Sequence, residues 1–187
     1  MSAIRLETDR LILRPWEDRD RPALAAILGD GQVRRFYPKA LTPAETSAQI
    51  DGAMKLAAQN GFHFQAAELK STGALAGLLG IGVVPDDVAA LIGGERPLVE
   101  IGWQFDQALW GQGLAPEGAR AWLGYCWDLL DLPEVVAFTA AINLPSQRVM
   151  EKIGMQRAEA RGFEHPRLAE GDRLRTHVVY AVGNPSR

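Results

Sequence analysis

Residues 100–153 read EIGWQFDQALWGQGLAPEGARAWLGYCWDLLDLPEVVAFTAAINLPSQRVMEKI, and this stretch decides the fold. A half-buried strand leads into the glycine-rich turn Trp110–Ala115, and that turn opens an amphipathic helix. A second strand follows, and Asn143 and Ser146 stand where a second helix begins. A glycine-rich turn at a helix N-terminus presents backbone N–H groups and the positive end of the helix dipole. The stretch therefore predicts a site for a phosphate-bearing ligand at the turn.

Length, charge and composition narrow the class of protein. The 187 residues fit one domain with one core, so we expect residues 1–187 to form a single domain. A net charge of −3 and the lack of a basic run disfavour a nucleic-acid partner. One cysteine and three scattered histidines predict neither a disulfide framework nor a metal site. Since no apolar segment reaches about 18 residues, we expect a cytoplasmic protein that does not enter the membrane.

Hydrophobic periodicity predicts the order of strands and helices along the chain. The predicted strands cover 11–14, 62–69, 75–84, 98–105, 134–139, 156–163 and 176–182. The predicted helices cover 18–28, 43–59, 116–130 and 146–153, and a capping box at Thr42–Glu45 marks the second of them. Because a helix joins the fourth and fifth strands, we expect these strands to be parallel neighbours in a right-handed crossover. The predicted fold is therefore α/β (α+β), with a single mixed, mostly antiparallel seven-stranded sheet and helices on both faces.

Three motifs in this order resemble the GNAT superfamily of acyl-CoA-dependent N-acetyltransferases, and within it the RimJ/RimL type. Glu7–Pro15 is similar to the first strand of that family. Residues 101–103 together with Trp110–Glu117 are similar to its acetyl-CoA motif, and Asn143–Met155 is similar to its second motif. One position departs from the pattern, because the superfamily usually carries Arg or Gln three residues before Gly113, where this chain has Trp110. We therefore expect no phosphate contact from that side chain.

The resemblance implies how a cosubstrate binds. Acetyl-CoA is the expected cosubstrate, and no metal is expected. The fourth and fifth strands are expected to splay, and the pantetheine arm is expected in the gap, beside Trp103, Gln104 and Phe105. The pyrophosphate is expected to accept hydrogen bonds from the backbone amides of Gln112, Gly113, Leu114 and Ala115.

Three polar residues are the candidates for contacts with the reacting groups. Glu100 matches the frequent general-base glutamate of the superfamily, although a strand carboxylate is also common on a solvated outer face. Ser146 would hydrogen-bond the leaving sulfur or relay a proton to it, and Asn143 would hold the pantetheine or the acetyl region. Both residues also fit a purely structural role at a helix N-terminus, where Asn is a preferred cap. No tyrosine lies in Gln147–Gly162 to act as the acid, so serine or water would have to replace it.

The resemblance implies a primary amine as acceptor, which attacks the thioester directly in a ternary complex. A protein N-terminal α-amine is favoured, because its pKa of about 8 leaves a usable neutral fraction at pH 7. A small-molecule amine or an aminoglycoside is the alternative. The first two helices, their link at 29–41 and the connection at 85–97 are expected to form the acceptor site.

Two further hypotheses lie outside this class. A non-catalytic acyl-CoA-binding module would keep the glycines and Asn143 but would not need Glu100 or Ser146. A nucleotide-binding Rossmann unit is disfavoured, because the glycine turn follows the fourth strand and no acidic residue ends the next strand. Homodimers are common among the relatives that the chain resembles, and the sequence leaves the oligomeric state open.

Overall fold

The structure, a computed structural model, describes residues 4–187, and the chain divides into two compact units. The first unit comprises the residues up to Gly82 together with Gly102–Trp122. The second unit comprises Val83–Ile101 and Leu123–Arg187. Each unit is therefore built from segments that are distant in the sequence.

The described residues form nine strands and five α-helices. The strands are β1 Leu6–Glu7, β2 Leu11–Arg14, β3 Gln65–Leu69, β4 Leu75–Val83, β5 Val99–Phe105, β6 Glu134–Ala140, β7 Gln156–Arg157, β8 Phe163–Glu164 and β9 Thr176–Gly183. The α-helices are α1 Asp20–Gly29, α2 Pro43–Asn60, α3 Asp86–Ile92, α4 Leu114–Asp128 and α5 Leu144–Lys152.

In the first unit, β1 to β4 form an antiparallel ladder in chain order, in which Leu13 lies opposite Ala67. The helices α1 and α2 bury their apolar side chains in one core with these strands. That core contains Trp16, Leu24, Ile27, Leu28, Val33, Ile50, Ala53, Ala66 and Leu78. The predicted capping box is confirmed, because the Glu45 N–H donates to the Thr42 hydroxyl and the Thr42 N–H donates to the Glu45 carboxylate.

A buried ion network fixes the beginning of α1 against the strands of the first unit. Arg14 is 4% exposed, and its guanidinium donates to both carboxylate oxygens of Asp20 at 2.7 and 2.8 Å. The same guanidinium donates to Glu68 at 2.8 Å. A buried arginine in this protein thus has two carboxylate partners, which offset the cost of removing its charge from water.

In the second unit, β5 is parallel to β6, with Glu100 opposite Val136. The β6 strand continues antiparallel to β9, and the short strands β7 and β8 both pair with β9. The core of this unit lies between α3 and the strands. It contains Val84, Val88, Ala89, Ile92, Leu98, Val136, Phe163 and Val179.

The strand predicted at 156–163 is divided into β7 and β8 by a 3-10 turn at Glu159–Arg161. The guanidinium of Arg161 explains the division, because it donates to the carboxylate of Glu134 at 2.6 and 3.0 Å. It also donates to the carbonyl oxygens of Ile92 and Gly93 at 3.0 and 2.9 Å. These bonds hold residue 161 against the end of α3, so it does not pair with β9 as β7 and β8 do.

The predicted fold class is confirmed, since the sheet is mixed and β5 and β6 form a parallel pair. The described strands number nine rather than seven, because β1 is additional and the segment 156–163 is divided. The predicted connection at 85–97 contains the helix α3. Both α4 and α5 begin two residues earlier than predicted, because proline is accommodated in the first turn of a helix.

Within residues 4–187, no helix combines the length and the apolar composition that crossing a membrane requires. The same part of the chain brings no three His, Cys, Asp or Glu side chains together in a way that could hold a metal ion.

Candidate active site

The glycine-rich turn lies in the first unit, between the end of β5 and the start of α4. A 3-10 turn at Gln107–Leu109 begins it, and the Asp106 carboxylate caps that turn by accepting from the Ala108 N–H at 2.9 Å. Gly111 and Gly113 then adopt φ angles of +77° and +80°. Both glycines are in the left-handed region, where a Cβ is strained, and a Cβ at Gly111 would meet nothing within 4 Å. The turn therefore needs glycine for its backbone conformation.

Four successive backbone N–H groups are available at this turn. The amides of Gln112, Gly113, Leu114 and Ala115 donate to no acceptor within residues 4–187. The first amide of α4 with a backbone partner is that of Glu117, which donates to the Gly113 carbonyl oxygen at 3.2 Å. Unpaired amides at a helix N-terminus, together with the helix dipole, fit an anionic phosphate group.

A contact that was not predicted from the sequence fixes the first turn of α4. The Glu117 carboxylate accepts from the Thr8 hydroxyl at 2.6 Å and from the Arg10 Nε at 2.7 Å. The Arg10 guanidinium also donates to the Gln112 carbonyl oxygen at 2.9 Å. Although burial opposes it, these hydrogen bonds hold the pKa of Glu117 below its usual value. The positive charge of Arg10 thus offsets the negative charge of Glu117, which would otherwise repel a phosphate at the turn.

Trp110 ties the turn to the end of β5. Its indole N–H donates to the Phe105 carbonyl oxygen at 2.9 Å, and the residue is 38% exposed. The guanidinium of Arg35 lies over the indole ring, 4.5 Å from the ring centroid. Trp110, which departs from the superfamily pattern, thus holds the turn in place and stacks with the cation of Arg35.

The end of β5 carries the three residues expected beside the pantetheine arm. Phe105 is buried, whereas Trp103 and Gln104 are half-buried. The Gly77 backbone lies very close to the end of β5. A Cβ at position 77 would be 2.1 Å from the Gln104 carbonyl oxygen, so this position requires glycine. The Gln104 side chain accepts a hydrogen bond from Arg34 at 3.0 Å. Gln104 is therefore engaged through its side chain as well as its backbone.

Glu100 lies in the second unit, on β5, and is half-buried. Its carboxylate has no hydrogen-bond or ion-pair partner within the described residues. Burial raises the pKa of Glu100 to about 8. A solvated outer-face carboxylate would keep an ordinary pKa, so this environment instead fits a group that exchanges a proton near neutral pH.

Asn143 and Ser146 begin α5 in the second unit. Asn143 is the N-cap, since its side-chain oxygen accepts from the Ser146 N–H at 3.3 Å, and its amide donates to the Thr139 hydroxyl at 2.9 Å. The helix-capping role that the sequence allows for Asn143 is confirmed, and one hydrogen of its side-chain amide is left for a ligand. The Ser146 hydroxyl has no partner within residues 4–187, and the residue is half-buried.

Tyr180 is a second feature that was not predicted from the sequence. It lies on β9 opposite Ala137, and the one hydrogen of its hydroxyl is shared between the side-chain oxygens of Gln147 at 3.4 Å and Glu151 at 3.3 Å. The buried Gln147 amide in turn donates to the Ala141 carbonyl oxygen at 2.9 Å. Its proximity to α5 has no local sequence signal, because only the register of β9 brings residue 180 to that helix.

Comparison with known proteins decides the family. The sequence profile of the acetyltransferase (GNAT) domain matches residues 10–156, which include the glycine turn and the start of α5. The chain is a GNAT acetyltransferase. It is 34% identical to the Bacillus subtilis protein YkkB over 152 residues, which is 81% of this chain and 84% of YkkB. It is 28% identical to the N-acetyltransferase YnaD of the same organism, over 95% of both chains.

The fold of this GNAT acetyltransferase also matches solved structures. A GNAT-family acetyltransferase from Bacillus anthracis superposes with a TM-score of 0.78 at 25% identity, over 97% of this chain and 99% of that one. The protein is therefore an acyl-CoA-dependent N-acetyltransferase, as the motifs predicted. This identity favours the enzyme over the binding module and the Rossmann unit.

The predicted site residues are divided between the two units. The first unit contains Trp103, Gln104, Phe105, Gln112, Gly113, Leu114 and Ala115. The second unit contains Glu100, Asn143 and Ser146, which lie on β5 and at the start of α5.

Proposed function

We propose that this enzyme transfers the acetyl group of acetyl-CoA to a primary amine, and that a protein N-terminal α-amine is its preferred acceptor. The observation that supports the preference is that Glu100 is a single half-buried carboxylate without a partner in residues 4–187, whose pKa burial raises. An N-terminal ammonium has a pKa of 7.7–8.0, so roughly a tenth of it is neutral at pH 7 and one carboxylate suffices as the base. A lysine ammonium, with a pKa near 10.4, costs about 3 kcal/mol more to deprotonate.

In this proposal each group of residues has one task, and acetyl-CoA supplies the acetyl group as a thioester. The free amides of Gln112–Ala115 bind the pyrophosphate, as four unpaired donors at a helix N-terminus fit an anion. The end of β5 at Trp103–Phe105 holds the pantetheine arm. Glu100 takes the proton that the neutral amine loses as it attacks the thioester carbonyl carbon, and Ser146 donates its hydroxyl hydrogen bond to the leaving sulfur.

The experiment is a thiol-release assay with acetyl-CoA and a panel of acceptors. The panel holds peptides with free N-termini, the same peptides with blocked N-termini and an internal lysine, polyamines and aminoglycosides. Glu100→Gln is measured beside the parent, and Glu170→Gln, which removes an exposed carboxylate from the same unit, is the matched control. We expect turnover on free N-termini and a loss of about 100-fold or more in kcat/KM for Glu100→Gln alone. Turnover confined to small amines would contradict the acceptor preference.

A further inference from the structure

A half-buried arginine in the first unit, Arg34, has no anionic partner among residues 4–187. The link between α1 and α2, residues 30–42, is anchored by Val33, which is part of the core of that unit. The next residue, Arg34, extends its side chain to Gln104 on β5. Gln104 and Gly102 share one face of the strand because side chains alternate along it. The ring of Phe64 lies on the same face, where a Cβ at Gly102 would be 3.1 Å from it.

Three contacts hold the Arg34 guanidinium in place. Its Nε donates to the Lys39 carbonyl oxygen at 3.1 Å, and one Nη1 hydrogen goes to the Gln104 side-chain oxygen at 3.0 Å. The ring of Tyr37 lies beneath it, with the ring centroid 3.8 Å from Cζ. A guanidinium has five N–H donors, and the remaining three of Arg34 reach no acceptor within the described residues. The group is therefore oriented and still has donors to offer.

The contacts of Arg34 include no anion among the described residues. Arg34 forms no ion pair with any Asp or Glu in residues 4–187, whereas the buried Arg14 has two carboxylate partners. Burial lowers the pKa of Arg34, and only the weaker influence of Tyr37 opposes this. Removing a cation from water without a counter-charge is costly, and a planar guanidinium with free donors fits a carboxylate in particular.

We propose that Arg34 binds a carboxylate of the acceptor, so that the enzyme selects α-amines whose molecule carries a nearby carboxylate. This inference rests on the proposed function, and it adds a specificity-determining residue to it. The carboxylate belongs either to a free amino acid or to an acidic side chain close to a peptide N-terminus. Both sources present the same group to the three free N–H donors, and Phe64 provides an apolar surface beside it.

Matched acceptor pairs test this selection. Alanine is compared with alaninamide at a pH above the pKa of both amines, and the peptide amide Ala-Glu-Phe with Ala-Gln-Phe, so that each pair differs in one carboxylate and the two pairs separate the sources. Charge-assisted hydrogen bonds predict a preference of roughly 10–100-fold in kcat/KM for the carboxylate member of at least one pair. In Arg34→Gln we expect that ratio to fall to about one while the KM for acetyl-CoA stays within about twofold. Arg34→Lys should retain an intermediate ratio because it keeps the charge but loses the planar fork.

The matched control is Arg5→Gln, which removes an arginine that forms an exposed ion pair with Glu7 in the same unit. It should leave the ratio at the parent value. A parent enzyme without any preference would overturn the proposal. So would an Arg34→Gln variant that loses activity equally on both members of a pair, since that result describes a purely structural arginine.

A binding measurement keeps the inference testable apart from turnover. N-acetylalanine and N-acetylalaninamide are titrated by calorimetry into the protein in the presence of CoA. We expect the carboxylate compound to bind at least about tenfold more tightly, and Arg34→Gln to abolish the difference. If no amine is acetylated but this difference is found, the proposed function fails and the carboxylate site stands. Equal affinities of the two compounds in the parent would refute the site itself.

Discussion

Replacing Glu100 by glutamine should change the dependence of the rate on pH as well as the rate itself. The structure leaves this carboxylate half-buried and without a partner in residues 4–187, and burial raises its pKa to about 8. The acceptor α-amine has a pKa of about 8. Transfer needs the carboxylate ionised and the amine neutral, and both conditions are met more fully as the pH rises. Below pH 8 the logarithm of kcat/KM should therefore rise with pH with a slope approaching two.

The magnitude follows from the two titrations. At pH 6 only about 1% of a carboxylate with a pKa near 8 is ionised, and at pH 8 about half is ionised. In Glu100→Gln only the amine still titrates, so its slope should be about one. The loss of a general base costs about 100- to 10,000-fold. The deficit of the variant should therefore be about 50-fold smaller at pH 6 than at pH 8.

The assay is thiol release at limiting concentrations of a short peptide with a free N-terminus, between pH 5.5 and pH 9.5 and with acetyl-CoA saturating. Ser146→Ala serves as the comparison, because the loss of that hydroxyl should lower the rate without altering the slope. Parallel profiles for the parent and Glu100→Gln would refute the reasoning. An inflection of the parent between pH 4 and 5, where an ordinary glutamate titrates, would refute it as well.

Stability and cosubstrate binding should also respond to pH and to changes at Gly113, Glu117 and Tyr180. The unfolded chain releases the proton of Glu100 above the usual pKa of 4.5, whereas the folded protein keeps it until about pH 8. The free energy of unfolding should therefore fall by at most about 5 kcal/mol between about pH 5 and pH 8. Thermal unfolding should show this loss in the parent and not in Glu100→Gln. Gly113→Ala forces a Cβ onto a φ of +80°, so it should cost about 1 kcal/mol and raise the KM for acetyl-CoA, whereas Gly124→Ala in α4 should stabilise the protein. Glu117→Gln weakens the pairing that holds Arg10 against the Gln112 carbonyl oxygen, and the resulting loss of order in the turn should raise the KM for acetyl-CoA more than it lowers kcat; an unchanged KM would show that the pairing does not position the turn. Tyr180→Phe should cost about 1 kcal/mol on denaturant unfolding and leave the pH profile unchanged, and an altered profile would make Tyr180 an acid in the reaction.

Local patterns in the sequence predicted the parts of the fold that depend on neighbouring residues. The capping box at Thr42–Glu45 and the glycine turn at 110–115 follow from short motifs, and the parallel pair β5–β6 follows from the helix that joins the two strands. The break between β7 and β8 does not, because Arg161 binds Glu134 and two carbonyl oxygens that are distant in the sequence.

The same distinction holds for the candidate site. The glycines and the helix-capping Asn143 are recognisable from their local motifs, whereas the pairing of Arg10 with Glu117 joins two motifs more than 100 positions apart. Arg34 lies in a link without a recognisable pattern, and only its contacts with Gln104 and Tyr37 single it out. The pKa of Glu100 is a property of burial, which a single strand sequence does not reveal.

The central claim is that acetyl-CoA donates to an α-amine with Glu100 as the base, and one competition experiment tests it directly. A peptide with a free N-terminus and an internal lysine is incubated with acetyl-CoA and the enzyme, and fragment mass spectrometry locates the acetyl group. We predict acetylation of the N-terminus in the parent, a strong reduction in Glu100→Gln, and little modification of the lysine in either. Equal acetylation of both amines, or an N-terminal rate that is the same in Glu100→Gln, would contradict the claim.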